Sequence, residues 1–167
     1  MNQKGFNFIG LIIFAVLVSV IAFFYIRSQD SLPSDRLYPI KKVREALFYA
    51  TNSLNYESLV NANIELANER VKEVSKLIEN QAREDFISDT LLRLTDHQRK
   101  ALDYTLRIKA RGSFIPDYLD KLEVAYLDHQ KVLSNLYYYI PHSLYPDLDQ
   151  AIKITGEFLD QERANRN

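Results

Sequence analysis

The chain has no cysteine and no tryptophan, and only four glycines and five prolines in 167 residues. Without cysteine there is no disulfide, no thiol nucleophile and no Cys-based metal site. So few turn-forming residues exclude many short connections and favour long helices. A charge of one sign is also lacking. Lys and Arg number 21 against 22 Asp and Glu, interspersed, for a formal net charge of −1. No basic patch of the kind nucleic acid requires is present. Catalytic spacing is missing as well. His97, His129 and His142 have no second His or carboxylate at i+4, and no HExxH occurs. No Ser/His/Asp order, phosphate loop or paired-carboxylate arrangement stands out. The expectation is a non-enzymatic protein that takes no cofactor and no metal.

What is present begins with one long apolar run, Phe6 to Ile26 (FNFIGLIIFAVLVSVIAFFYI), which carries no charge. As a helix it spans roughly 30 Å, the thickness of one hydrocarbon core. Its Leu, Ile, Phe and Val side chains make insertion favourable by roughly several kcal/mol. Ser19 can bond back to its own helix, and Tyr25 stands where an aromatic with a polar tip suits the interface. A cleaved signal would use Val20-Ile21-Ala22 as its small-residue site. Phe23 to Ile26 continue the apolar run past that point, so a retained anchor is expected. The lipid bilayer is thus the first partner. Lys4 and the α-amine precede the anchor; Arg27, Arg36, Lys41, Lys42 and Arg44 follow it. That count by itself places the long domain in the cytoplasm.

After the anchor, about 140 residues remain, one ordinary domain. Residues 27–37 read as a short polar linker. Tyr38-Pro39 opens a first helix whose apolar face is Ile40, Val43, Leu47 and Ala50. A second helix runs from about Tyr56 to Asn80, with Val60, Ile64, Ala67, Val71, Val74 and Ile78 as a heptad seam. Leu59, Leu66 and Leu77 widen that seam. Glu65, Glu69, Lys72, Glu73 and Lys76 read as its solvated face. A turn follows at Asn80 to Asp85. Ile87, Leu91, Leu94, Ala101, Thr105 and Ile108 carry a third helix to Gly112. Ser113 to Pro116 opens a fourth, with Leu119, Leu122, Tyr126, His129, Leu133, Leu136 and Ile140 on one face and Pro141 as its stop. Ser143 caps a last helix with Leu148, Ile152, Thr155 and Leu159 as its face. The organisation is a leader (1–5), an anchor (6–26), a linker (27–37), a bundle domain (38–162) and a polar, fraying tail (163–167). The fold class is all-α: a transmembrane helix, then an up-and-down antiparallel bundle of four to five helices. Homo-oligomerisation is open but not indicated.

The opening Lys4-Gly5-Phe6-Asn7-Phe8-Ile9, followed by LIIFAVLV, resembles the start of type IV prepilins. The resemblance implies cleavage between Gly5 and Phe6 on the cytoplasmic side. The fifth position after that junction is Gly10, where prepilins normally carry Glu for assembly. From Leu37 onward the chain resembles a bacterial membrane-attached helical family, the domain of unknown function numbered 5667. The likeness rests on Leu37-Tyr38-Pro39-Ile40-Lys41-Lys42 with Glu45, and on Leu66, Ala67, Arg70, Val71 and Glu73. It continues through His129 to Leu136, Pro141 and Ala151-Ile152. It implies a tethered helical domain, usually outside the cytoplasm, and no activity. Together the two resemblances favour an extracytoplasmic domain with an unidentified envelope protein as partner, against the Lys/Arg count.

Four kinds of residue stand out besides. Arg70 lies beside the seam, with Glu45 its expected partner across the first hairpin. His129 lies on an apolar face and is expected as a hydrogen-bonded core histidine. Leu94-Thr95-Asp96-His97-Gln98 matches the Leu-Thr-x-x-Gln signature of periplasmic stress-sensing and metal-binding helical proteins. The same Thr and Gln also form an ordinary capping box, which would break the third helix at Leu94. Tyr137, Tyr138 and Tyr139, with Tyr145, form an aromatic cluster that reads as a partner surface or as the filling of the bundle end.

Overall fold

A computed structural model describes the backbone of residues 3–112 and 116–166 and the side chains of 10–112 and 118–160. Leader residues Met1 and Asn2, the helix start at Ser113, and Asn167 lie outside the described residues. Six α-helices and one 3-10 turn follow in order, with no strand among the described residues. They are α1 (Gln3–Arg27), α2 (Tyr38–Asn52), α3 (Tyr56–Glu79), α4 (Glu84–Ala110), α5 (Pro116–Leu136), the turn His142–Leu144 and α6 (Tyr145–Arg166). The chain divides into two compact units, Met1–Ala46 and Leu47–Asn167.

In the first unit, α1 is long and apolar enough over Gly10–Arg27 to cross a membrane, and none of that stretch is buried by protein. Ser19 Oγ donates to Ala15 O at 2.9 Å, so the one hydroxyl of its middle is satisfied within the helix. Residues 28–37 are not a loose tether. Ser28 N bonds to Phe24 O, Ser31 N to Ser28 O, Asp35 N to Leu32 O, and Tyr38 N to Asp35 O. Asp35 Oδ2 also accepts from Leu32 N at 2.7 Å. Successive turns therefore carry the chain from α1 to α2 as an elbow.

In the second unit, α3 is entered at Asn55, an N-cap whose Oδ1 accepts from Ser58 N at 2.7 Å. Its heptad seam is buried at Val60, Ala67, Val71 and Val74. Each of the three valines stabilises by about 1.5–3 kcal/mol, and the single methyl of Ala67 by less. A second seam runs beside the first: Leu59, Asn63, Leu66, Arg70, Glu73 and Leu77 are all buried. Two adjacent seams make α3 the helix buried on the widest face. Glu73 thus leaves the solvated face expected for it, because it pairs with buried Arg70. The chain reverses at Gln81, which adopts φ +51°. α4 starts with Glu84 and Asp85 and ends with Arg107 and Lys109, charges that suit the helix dipole at each end. It runs unbroken past Leu94, so Thr95 and Gln98 form no capping box. Gly112, at φ +77°, closes it with its N–H on Lys109 O.

The helices α3 and α4 form one hairpin, α5 and α6 another, and the two stack in the same sense. Glu57 meets Tyr118 and Asn68 meets His129 along α3 and α5. Glu84 meets Ser143 and Ser88 meets Asp147, bringing α4 to the second hairpin. The sequence offset is near 60 throughout, so α3 lies parallel to α5 while each hairpin is antiparallel within itself. Ala101, Leu122, Tyr126, Phe158 and Leu159 form a shared core where the hairpins meet.

Three elements depart from the periodicity reading. α5 ends at Leu136 rather than Ile140, and Tyr139 N and Ile140 N both return to Leu136 O. Tyr137 is drawn aside to donate its hydroxyl to Asp149 of α6. Ser143 caps nothing; its Oγ donates to Glu84 Oε2 at 2.7 Å. The buried face of α6 is Leu148, Ala151, Ile154, Thr155, Phe158 and Leu159, with Ile152 half-buried. Finally, α2 turns its aliphatic face outward: Val43 and Leu47 are 60% and 61% exposed. The tyrosines decide this. Tyr49, on the opposite side of the helix, meets the Tyr104 hydroxyl of α4 at 3.1 Å, and Tyr104 stacks on Tyr56.

Candidate functional site

Two places in the second unit concentrate chemistry. The first is a polar node buried where α3, α4 and α5 meet. Gln98 and Asn63 are fully buried and His129 is nearly so. His129 Nε2 stands 2.7 Å from Asn68 Oδ1, and its Nδ1 stands 3.3 Å from Gln98 Nε2. An amide oxygen on one side and an amide nitrogen on the other are satisfied by the neutral Nε2–H tautomer, which donates to Asn68 and accepts from Gln98. The Tyr126 hydroxyl donates to Gln98 O at 2.5 Å, and its ring stacks on His129 and meets Phe158 edge-on. Nearby, His97 Nδ1 donates to Asn63 Oδ1 at 3.0 Å, and Asn63 Nδ2 passes the chain on to Leu59 O.

The electrostatics follow from burial. Desolvation lowers the His129 pKa to about 4, against a small opposing pull from Asp128. Desolvation also lowers that of His97 to about 4, and Arg70 adds to the effect. Burial pushes the Tyr126 hydroxyl upward. Near His97, buried Arg70 donates Nη1 to Glu73 Oε2, and its Nη2 lies 3.9 Å from Glu69. His129 therefore spends both ring nitrogens on other side chains. Above it, Asn68 also lines an open groove between α3 and α5, with Glu65, Lys121, Val124 and Asp128 around it. No group of three His, Asp or Glu is gathered as a metal set among the described residues.

The second place is the corner between α5 and α6. Tyr145 Oη donates to Tyr137 O at 3.2 Å, and the two rings meet edge-on at 5.2 Å. His142 also meets the Tyr145 ring edge-on at 4.8 Å. Tyr137 and Tyr145 thus brace the corner, while Tyr138 and Tyr139 are 86% and 73% exposed. The aromatic cluster splits into two supports and two presented rings.

The remaining residues singled out from sequence are scattered. Tyr38 and Lys41 are buried in α2, Pro39 is exposed and Glu45 half-buried; Lys42 lies over the Tyr38 ring at 5.5 Å. Leu66, Arg70 and Glu73 share the second seam of α3. The backbone of α1 is helical through Gly5 and Phe6, whose side chains lie outside the described residues. Gln98 and Asn63 were missed as core positions. Spacing held the signal for both, since 98 fills the gap between Leu94 and Ala101, and 63 continues the row of Leu59 and Leu66.

A family model described as Domain of unknown function (DUF5667) matches residues 30–143. No curated protein and no solved structure matches. The match takes in the elbow and α2 through α5. It stops within the 3-10 turn, so Ala151-Ile152 and all of α6 lie beyond it.

Proposed function

The chain belongs to the DUF5667 family, a domain of unknown function, and on that premise we propose that it is a single-pass, extracytoplasmic binding or scaffolding module without catalytic activity. The observation that carries this is the pairing of an unburied apolar helix with a braced corner that presents Tyr138 and Tyr139. Aromatic rings with polar tips are what protein interfaces enrich. His129 is committed to Asn68 and Gln98, which supports a structural role. The partner is an envelope protein docking on the tyrosine corner.

Because the chain has no cysteine, Tyr138→Cys in the full chain gives a unique thiol. A membrane-impermeant maleimide applied to intact, wall-stripped cells labels it if the domain is outside. Labelling only after lysis would place the domain in the cytoplasm and end this reading.

A second reading, an envelope sensor or regulator, draws on the buried His129–Gln98 node, whose two pieces lie on different hairpins. It requires a receiver that touches α1 in the membrane. Photocrosslinkers along α1 that capture no membrane protein would remove it. A minor pilin-like role rests only on the Gly5-Phe6 junction, and an intact Met1 on protein from native membranes would end it.

A further inference from the structure

The outward face of α2 is a continuous apolar stripe. Val43, Ala46, Leu47 and Ala50 are all exposed, and Leu54 just beyond the helix is 89% exposed. At 100° per residue they fall within one sector of the helix, bordered by Lys42 on one side and Arg44 on the other. The buried residues Tyr38 and Lys41 lie on the opposite side. The helix therefore carries an aliphatic surface pointing away from the side its tyrosines hold.

We propose that this stripe lies on the bilayer surface, with α2 in the headgroup plane. The proposal rests on α1 being the membrane anchor. Three observations select lipid as the occupant. First, α1 ends at Arg27 and α2 begins at Tyr38. The residues between them, even fully extended, would reach only about 35 Å, and their successive hydrogen-bonded turns shorten that span. Second, Lys42 and Arg44 flank the stripe, with Arg36 just before the helix. Basic residues bordering an apolar face suit anionic headgroups, where their stems follow the apolar surface and their charges reach phosphate. Third, the stripe is poor material for a second copy. Alanine holds two of its four helical positions, and α2 has only 15 residues, so a self-paired seam would bury little.

The test uses the full chain reconstituted in vesicles of phosphatidylcholine and phosphatidylglycerol. Single variants Val43→Cys, Leu47→Cys, Phe14→Cys and Tyr138→Cys each carry an environment-sensitive nitrobenzoxadiazole label. Val43 and Leu47 are exposed, so labelling them leaves the core untouched. Spin-labelled lipid with the nitroxide high on the acyl chain is the quencher. The expected result is blue-shifted emission at positions 43 and 47, lost for the most part when the quencher is added. The label at 138 keeps its emission. Emission at 43 and 47 as red and as unquenched as at 138 would overturn the proposal. So would a blue shift without lipid quenching, which would mean a protein, such as a second copy, covers the stripe. The label at 14 separates the two readings. Quenching at 14 but not at 43 and 47 refutes the stripe alone. No quenching at 14 refutes the anchor, and the stripe proposal with it.

Discussion

Asn68 and His129, 61 positions apart, share a 2.7 Å hydrogen bond that joins α3 to α5. Its geometry requires a proton on His129 Nε2, and the amide nitrogen of Gln98 requires none on Nδ1. The node holds the neutral ring and resists the charged one, and this has a consequence for pH.

Stability should fall as pH is lowered. Both histidines have folded pKa values of about 4, below the unfolded value near 6.5. Between those values the unfolded chain binds more protons than the folded one, so stability is full above about pH 6.5 and is lost progressively towards about pH 4. His129 contributes on the order of 3 kcal/mol; His97, half-buried, contributes less. Urea midpoints measured across this window check it. His129→Gln should flatten the slope, and an unchanged slope would refute the assignment.

Arg70→Ala should be severe. It leaves Glu73, only 3% exposed, without its nearest cation. Losing one member of a buried pair costs about 3–5 kcal/mol. Replacing both, as Arg70→Met with Glu73→Leu, should restore most of that loss. Denaturant titration of the single and double variants measures the difference.

The sixth helix is needed although the family match ends before it. Phe158 is 1% exposed and meets the Tyr126 ring at 5.0 Å. Phe158→Ala should cost about 3–5 kcal/mol. Truncation after Ser143 should abolish cooperative unfolding, read by calorimetry. A sharp transition in the truncated chain would mean that the matched segment folds alone.

Gly112→Ala tests the end of α4. Nothing lies within 4 Å of an added Cβ, so its φ of +77° is the whole penalty. The expected loss is about 1 kcal/mol, read as a shift in melting temperature. Gln81→Gly should move stability the other way by about 0.5 kcal/mol, because Gln81 holds φ +51° without being glycine.

Helix number and the α3 seam were legible in the sequence because apolar residues at 4-3 spacing leave no competing period. The same rule passed over Gln98 and Asn63. It asks whether a residue is apolar before asking where it falls, and both fall on the core rows. It also marked Ile40, Val43, Leu47 and Ala50 as the apolar face of α2, and Val43 and Leu47 are exposed. Aliphatic spacing marks a face that avoids water; it does not say whether protein or lipid covers it. α5 stops at Leu136, and just beyond it Tyr137 reaches Asp149 in another helix, a contact no local pattern contains. The parallel stacking of the two hairpins was invisible for a similar reason. Short turns fix neighbours along the chain, whereas the offset near 60 is set by pairs such as Glu84 with Ser143.

That offset also orders events during synthesis. The hairpin of α3 and α4 is complete, with its local seam closed, before any of α5 has been made. The hydroxyls and rings that cover its remaining face arrive only with the second hairpin, and Phe158 comes almost last. Until then Gln98 and Asn68 wait beside water rather than beside His129. The nascent chain thus passes through an interval in which Gln98 and Asn68 are still hydrated, and it ends when α5 brings His129 between them.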